Sequence, residues 1–478
     1  MSARSVVMGS RSRERPRVAS RHGRSACTGR PRALSVPGVR TTPAVHAVPP
    51  PVSRDCMLDS TVTRPSGRAQ RDRARFLGED RDYWRLMIRG ALLLMVTLGI
   101  YRFWLVTDMR RFLWSNTEIS GESLEYIGTP LELLFGFLVA VTLLVPLYGA
   151  FFIAALDLGV LGQLSGVLAF VLLAFLGQFA IYRARRYRLS RTVYRGVRFR
   201  QTGSAWRYAV CAVFWWVMII VTLGLAYPLA QTRLEQFKMN NTFYGDLGGH
   251  FGGSARSLLL RGLPLWFLVI GPFVLAMIMA MGGVDWSAAL TAARQSGDDT
   301  LGRIEGASPG FGAAVVIAIL ACGWVVLAAA LLYPAFQALM LRWWLGGLRF
   351  GSVATSSQVR ARQIYAAYVR FLWYSVLFTL AAGVFGAAVL FLIGVLGAVI
   401  GETATEIMVT AVLLVGYVIA ALAYSTIYQV TVRLGLWRLG LDSLVLSGTG
   451  ALDRVKAAGR PSSPFGEGLA NALRVDGW

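Results

Sequence analysis

The chain has 478 residues, of which 55% are hydrophobic and only 15% are charged, a balance that excludes an ordinary soluble domain. The formal net charge is +23, yet residues 1–85 hold 18 Arg against 7 Asp and Glu, and most other arginines lie in short segments between apolar blocks. Basic segments beside membrane spans follow the positive-inside rule, so we expect a polytopic membrane protein and no nucleic-acid partner.

Residues 1–85 are predicted to form a basic, disordered N-terminal tail. The first 56 residues are rich in Arg, Ser and Pro and show no hydrophobic periodicity, so they cannot bury enough apolar surface to fold alone. They lack the apolar core of a secretory signal, because the first apolar run begins near Leu86, and an organelle transit peptide is the alternative for such a leader. We favour a misassigned start, with Met57 as the true initiator.

A membrane domain is predicted for residues 86–440, followed by a polar C-terminal tail at 441–478. Its apolar blocks, each of about the length of a helix that crosses a bilayer, are residues 90–107, 131–156, 158–182, 206–230, 258–283, 310–340, 371–400 and 406–430. We therefore predict an all-α fold, a polytopic integral membrane protein of six to eight hydrophobic helices.

The number of spans decides which loops share a side of the membrane. With eight spans, the arginine-rich loop 183–205 lies opposite both the basic N-terminal tail and the basic loop 341–370, although basic loops should share the cytoplasmic side. If 90–107 and 206–230 are re-entrant segments that do not cross the membrane, the N-terminal tail and both basic loops lie on the cytoplasmic side. The block 206–230 is also long enough to span outright, so the sequence leaves both counts open.

A polar, basic segment recurs after successive apolar blocks. The copies are RRFLWSNTEISG at 110–121, RRYRLSRTVYRG at 185–196, QFKMNNTFYG at 236–245 with its glycine one residue early, and the fainter LRWWLGGLRFG at 341–351 and VRLGLWRLG at 432–440. We interpret them as internally duplicated helix-exit repeats. In each, Arg and an aromatic anchor the helix at the interface, Ser, Asn and Thr take backbone hydrogen bonds that end it, and Gly permits a turn. The alternative is a shared surface whose Arg clusters bind anionic headgroups or phosphates.

The sequence RFLGEDRDYWRLMIRGALLLMVTLGIYRFWLVTDMRRFLWSNTEISGESLEYIGTPLELLFG at 75–136 resembles the opening of the YjgN-like bacterial inner-membrane proteins, a family with a domain of unknown function. The shared pattern falls on Phe76, Gly78, Thr97, Leu98, Gly99, Tyr101, Trp104, Arg111, Phe112, Asn116, Thr117 and Gly121. The likeness continues through YRGVRF at 194–199 and fades after about residue 350; the pattern is broken where Arg191 replaces the asparagine. The resemblance implies a protein of the bacterial inner membrane, and it brings no substrate or catalytic residues. The apolar blocks predict a multi-pass protein, and the positive-inside rule predicts a cytoplasmic N-terminal tail.

Motifs of known chemistry are missing from the sequence. No P-loop, GxSxG, HExxH or glycine-rich dinucleotide motif stands in a suitable context. The four cysteines have no CxxC spacing, and only three histidines accompany them. We therefore expect no enzyme, no metal and no cofactor.

The candidate functional or lipid-contacting residues are the arginines near the apolar blocks and the polar residues of the repeats. A charged side chain in a membrane span is costly to bury, so its presence there suggests a functional role. They are Arg102, Arg110, Arg111, Asn116, Thr117, Gly121, Arg185, Arg186, Thr192, Gly196, Asn241, Thr242 and Arg261. Duplicated units and interrupted helices favour a transporter or channel-like protein. The alternative is a non-catalytic membrane interaction protein whose partners are membrane lipids with anionic headgroups.

Overall fold

The protein is described by a computed structural model that covers residues 71–157, 160–294, 300–458 and 465–473. Within these residues, six helices are long and apolar enough to cross a membrane, which agrees with the lower predicted count. They are Pro130–Leu156, Leu164–Ser190, Ala255–Gly282, Gly310–Gly347, Ala361–Gly397 and Glu402–Asp442. The predicted initiator Met57 and the first 70 residues of the predicted tail lie outside the described residues.

Ten short strands show that the all-α prediction was wrong. They are β1 (Arg71–Phe76), β2 (Thr117–Ile119), β3 (Glu122–Tyr126), β4 (Thr192–Tyr194), β5 (Val197–Gln201), β6 (Thr242–Tyr244), β7 (Leu247–Phe251), β8 (Leu348–Phe350), β9 (Val353–Ser357) and β10 (Leu444–Ser447). Nine of them have only three to five residues, and half of them follow a helix directly. Segments this short give almost no alternating pattern, which is the signal that identifies a strand in a sequence.

The strands close into one antiparallel barrel in which the first strand pairs with the last. Four hairpins with two-residue turns make up β2 to β9, and β10 pairs with β1 from Arg71–Ser447 to Arg73–Val445. Closure leaves none of the ten described strands with an unpaired edge. The barrel therefore needs 71–76 and 444–447, although the predicted domain boundaries assigned both segments to the terminal tails.

Side chains of the strands alternate between an apolar inner face and a polar outer face. The register puts Tyr194, Phe199, Tyr244 and Phe350 on one face with the buried Leu446. Arginines occupy the other face, for they are the intervening residues of the same strands: Arg73, Arg198, Arg200 and Arg349. The apolar and basic residues that alternate at 197–200 are those of a barrel strand, β5.

Helices connect the strands. They are α1 (Asp80–Val96), α2 (Arg102–Ser115), α3 (Pro130–Asp157), α4 (Val160–Ser190), α5 (Ala205–Val221), α6 (Tyr227–Asn240), α7 (Ala255–Gly282), α8 (Trp286–Arg294), α9 (Thr300–Ala307), α10 (Gly310–Gly347), α11 (Ala361–Ile400), α12 (Glu402–Tyr428), α13 (Leu434–Asp442) and α14 (Phe465–Ala472). A π-helical turn, Gln429–Arg433, joins α12 to α13. The short α8 and α9 lie between α7 and α10, and α14 packs against α3 and α4.

The longer helices form five pairs that leave the barrel and return to it. Each outgoing helix, α1, α3, α5, α7 and α11, begins four residues after a strand ends. Neighbouring helices pack in the same cyclic order as the strands, from α1 through α7 to α10, α11 and α12, and α12 packs on α1. The helices thus form a closed ring that is continuous with the barrel, and all the β-turns lie on one side of it.

Two of the five helix pairs are interrupted and short. Their outgoing helices, α1 and α5, have 17 residues each, whereas α3 and α7 have 28. At 1.5 Å per residue these lengths are about 25 Å and 42 Å. The same Thr-Leu-Gly sequence makes both breaks. It is Thr97, Leu98 and Gly99 in the first pair and Thr222, Leu223 and Gly224 in the second, with positive φ at each Leu and Gly. In both, the Thr hydroxyl donates to a carbonyl one turn back and accepts from the amide that restarts the helix.

The two broken pairs contain the blocks 90–107 and 206–230, which the distribution of the basic loops singled out as re-entrant. Their exposed tips are apolar, and the side chain of Leu98 is 94% exposed. Helices that are interrupted in this way, with backbone bonds at the break satisfied by a threonine, suit a segment that enters the bilayer and returns. The other helix pairs supply the six long apolar helices.

Candidate functional site

The recurring polar segments are the points at which a helix ends and a barrel hairpin begins. Thr117 Oγ1 donates to the Leu113 carbonyl at 2.7 Å and Asn116 Nδ2 to the Phe112 carbonyl at 2.8 Å. The same bonds recur elsewhere, from Thr192, Thr242 and Asn241 to carbonyls four residues back. These side chains satisfy C-terminal carbonyls that a helix cannot satisfy itself, which confirms the predicted way of ending the helices.

Glycine makes the hairpin turn that follows each of the first four segments. Gly121 and Gly196 have φ of +86° and +73° at the second turn position, after Ser120 and Arg195, whose φ is also positive. This is the type I′ geometry that suits the twist of a hairpin. In the third segment Gly245, with φ +57°, takes the first turn position instead, which explains why it comes one residue early.

Arginines of three segments fasten a helix end to the next outgoing chain. Arg111 Nη2 donates to the Gly128 carbonyl at 3.1 Å, and Arg342 Nε donates to the Val359 carbonyl at 3.1 Å. Each carbonyl lies two residues after a strand. In the fifth segment Arg438 Nη2 donates at 2.7 Å to the carbonyl that follows β1, that of Gly78. These guanidinium groups bind the protein's own backbone.

An ionic cluster lies where the ends of α4, α6 and α10 meet below the barrel. Glu235 is buried, and its carboxylate accepts hydrogen bonds from Lys238 and, at 3.1 Å, from the indole Nε1 of Trp344. The same carboxylate lies 3.8 Å from Arg185 Nη1. Burial would raise the pKa of the Glu235 carboxyl, but the charges of Lys238 and Arg185 outweigh burial and hold that pKa below its usual value. Arg188 is close enough to act on Lys238.

An aromatic cluster completes the junction on the side of α2 and α13. The Trp114 and Trp437 rings stack with centroids 5.3 Å apart. Trp114 Nε1 donates to Thr192 Oγ1 at 3.0 Å, and Trp437 Nε1 donates to Thr117 Oγ1 at 3.1 Å. Beside them the buried Arg110 donates to the Tyr126 hydroxyl at 3.1 Å. The two clusters together are called the collar, defined by Arg110, Trp114, Arg185, Arg188, Glu235, Lys238, Trp344 and Trp437.

The barrel beyond the collar is filled. A chain of ring contacts crosses its inner face, from Tyr194 to Tyr244, Phe199 and Phe350, with centroids 4.9 to 6.2 Å apart. The Tyr244 hydroxyl donates to the Tyr194 carbonyl at 2.9 Å, and burial raises the pKa of that hydroxyl to about 12, so it is protonated at neutral pH.

Residues 448–456, called the strap, run across the rim formed by the β-turns. Thr449 donates to Asp72 beside β10, while Asp453 pairs with Arg195 at 2.6 Å in the β4–β5 turn, on the opposite side of the ring of strands. The Lys456 amide donates to Asp246 in the β6–β7 turn at 3.0 Å. Between these contacts Leu452 packs with the apolar cluster of the inner face. The strap therefore covers the rim.

The structure brings only some of the predicted candidates into the collar. Arg110 and Arg185 are collar residues, and Thr117 and Thr192 accept hydrogen bonds from its indoles. Arg111, Asn116, Asn241 and Thr242 bond to backbone, and Gly121 and Gly196 lie in turns. Arg186 lies at the end of α4, Arg102 begins α2, and Arg261 is exposed on α7.

Sequence reasoning missed Glu235, Lys238 and the three tryptophans of the collar. Glu235 had a usable signal, because Arg110, Arg185 and Glu235 each stand seven residues before the threonine that opens a strand. Alignment of the segments on that threonine also puts Trp437 seven residues before Leu444, the first residue of β10. No local pattern shows that these positions meet, because each comes from a different helix.

Comparison with known proteins decides the family. Residues 71–472 match the family described as bacterial protein of unknown function, DUF898. The chain belongs to this family. The match begins at β1 and ends at the last residue of α14, so it covers the whole barrel and helix ring.

Two curated relatives are both called inner membrane protein YjgN. The one from Escherichia coli O157:H7 is 26% identical over 164 residues, and the one from Escherichia coli strain K12 is 28% identical over 167 residues. Each match covers 34% of this chain and 38% of the relative, so the chain spans well under half the length of the curated relatives that it matches. No solved structure matches the chain. The predicted resemblance to YjgN-like proteins is confirmed.

Proposed function

We propose that this DUF898 protein is an inner-membrane channel-like or transport protein, whose path runs along the axis shared by the helix ring and the barrel. One observation carries the proposal: a closed ring of helices continues into a closed barrel, and a charged collar lies at the junction. A solute that follows the axis must pass the collar. The filled barrel and the strap make this conformation the closed one.

Charge in the collar supports a conduit for anions. Four of its named side chains, Arg110, Arg185, Arg188 and Lys238, are cationic, and Glu235 is the acidic one. Rings of Lys and Arg around a solute path select anions. Broken helices that enter the membrane are a further feature of transport proteins.

The alternative, a protein whose repeated arginines grip anionic lipid, is less well supported. Arg111, Arg342 and Arg438 donate to the protein's own carbonyls, and Arg185 lies beside Glu235. An arginine held by its own backbone has fewer donors left for a headgroup. No enzymatic role is proposed.

Orientation follows from the proposed topology. Six spans return the chain to the barrel after every pair of helices, so the basic barrel and its turns lie on one side of the membrane. The positive-inside rule makes that side the cytoplasm. The N-terminal tail, which precedes β1 in the chain, is then expected on the cytoplasmic side.

Chloride release from proteoliposomes tests the proposal. Leu452→Asn removes the apolar contact that holds the strap on the inner face, and we expect this variant to release chloride faster than the wild-type protein. Arg454→Ala is the matched control, because Arg454 is exposed on the same strap. Chloride release by folded Leu452→Asn protein no faster than from protein-free liposomes would contradict the proposal.

A further inference from the structure

A groove lies at the break between α5 and α6, where that helix pair rests against α7 and α10. Its volume is about 360 Å³, and it is open along one side. The walls are almost wholly apolar and include Leu225 and Pro228 after the break, Gly262 and Trp266 on α7, and Phe336 and Leu339 on α10. The Trp266 indole donates to the Leu223 carbonyl at 2.7 Å, which fixes the break against α7.

The groove is a slot that extends along α7. Its residues on α7 run from Leu258 to Ile270, a rise of about 18 Å at 1.5 Å per residue. Both α7 and α10 are long and apolar enough to cross a membrane, and the lining residues Leu223 and Leu225 are exposed at the protein surface, so we expect the groove to open towards the bilayer. A narrow apolar slot of this length suits an extended hydrocarbon chain and offers little to a polar solute.

A cation flanks the slot near the end at which α7 begins. Arg261 is exposed on α7 within two turns of the helix start, so its guanidinium can extend to the headgroup level. It stands three residues after Leu258 and four before Leu265, both of which line the groove, so it flanks the same face of the helix. A phosphate beside Arg261 would put the attached chain at the mouth of the slot.

We infer that the groove binds one acyl chain of an anionic membrane phospholipid, with the lipid phosphate at Arg261. This site is separate from the axial path and does not depend on the proposed transport role. The ligand class follows from the apolar walls, the length, the expected opening towards the bilayer and the cation that flanks the slot. The lipid would brace the broken helix pair against α7 and α10.

Photo-crosslinking in liposomes tests the inference. Phosphatidylglycerol with a diazirine on one acyl chain is reconstituted with the protein and irradiated, and the modified residues are mapped by mass spectrometry. We expect modification to concentrate in the groove, at residues such as Leu225, Trp266 and Phe336. Modification spread evenly over all lipid-facing helices of the wild-type protein would mean bulk lipid contact only and would overturn the inference.

Variants separate the chain from the headgroup. Gly262→Phe fills the slot towards Leu339 and should abolish crosslinking there, whereas Gly271→Phe, on the same helix where a side chain meets open space, should leave it unchanged. Arg261→Gln should weaken competition by unlabelled phosphatidylglycerol about fivefold, the effect of losing one cation near a lipid surface, and leave competition by phosphatidylcholine unchanged. Equal loss with both lipids would overturn the assignment of the phosphate to Arg261.

Discussion

The indole of Trp437 stacks on that of Trp114 and donates to Thr117, so a residue near the end of the barrel-forming chain fixes the first helix that returns to the barrel. This contact and the β1–β10 pairing join the two ends of the fold. Closure of the ring therefore depends on side chains that are far apart in sequence.

Trp437→Phe keeps an aromatic side chain at this position and removes the N–H group that donates to Thr117. We expect a loss of about 1 kcal/mol in the free energy of unfolding, the usual worth of one buried hydrogen bond. Trp437→Ala should cost about 3–5 kcal/mol, because it also leaves a cavity beside Trp114. Unfolding by SDS in mixed micelles measures both. Trp216→Phe, at an exposed position on α5, is the control and should change stability little.

Glu235→Gln tests the ionic part of the collar. The pKa of Glu235 in the folded protein is below its usual value of 4.5, so its stabilising effect is complete above 4.5 and is lost as the pH falls through the folded value. Removal of one partner of a buried ion cluster costs about 3–5 kcal/mol. The wild-type protein should therefore be the more stable one at neutral pH, and the difference should shrink in acid below pH 4.5.

The control for this experiment is Glu402→Gln, at an exposed carboxylate on α12. Its stability should follow the wild-type curve throughout. A difference between wild type and Glu235→Gln that stays constant down to the acid limit would show that Glu235 does not titrate as the buried contacts require.

Gly99→Ala tests the first helix break. Gly99 has φ +94° with open space around it, so a methyl group meets no neighbour and the cost is backbone strain, about 1–3 kcal/mol. Gly149→Ala, which also meets open space but lies inside α3, should instead stabilise by about 0.5–1 kcal/mol. Equal effects of the two substitutions on the unfolding free energy would show that Thr97, Leu98 and Gly99 do not form the break described.

Single cysteines test the six-span topology. In a cysteine-free background, Ser123→Cys, Asp246→Cys and Ser352→Cys lie at the exposed rim of the barrel and should all be protected from an impermeant thiol reagent in intact cells. Ser287→Cys, exposed on α8 at the other end of the helices, should be labelled. Labelling of one rim position but not the others would mean that a broken helix pair crosses the membrane.

Local features of the fold could be predicted from the sequence. The helix ends follow from Ser, Asn and Thr competing for backbone carbonyls, and the turns follow from Gly121 and Gly196, because both are decided within a few residues. The requirement that basic loops share one side of the membrane pointed to the blocks that contain Gly99 and Gly224 as re-entrant segments. Each of these conclusions needed no knowledge of distant residues.

The barrel and most of the collar could not be predicted, because both are long-range. A strand such as Thr117–Ile119 exists only because other strands pair with it on both sides. In the same way Glu235 is an ordinary helix residue until Arg185 and Trp344 approach it from other helices. The segments were found in the sequence, but their arrangement in a ring was not.

The reversal potential of the Leu452→Asn protein in a planar bilayer, under a potassium chloride gradient, tests the central claim most directly. If the axial path runs through the collar, the current should be carried mainly by chloride, and Arg185→Gln with Arg188→Gln should shift the potential towards that of an unselective pore. A current with no chloride preference, or one that ignores both collar substitutions, would contradict a path through the collar.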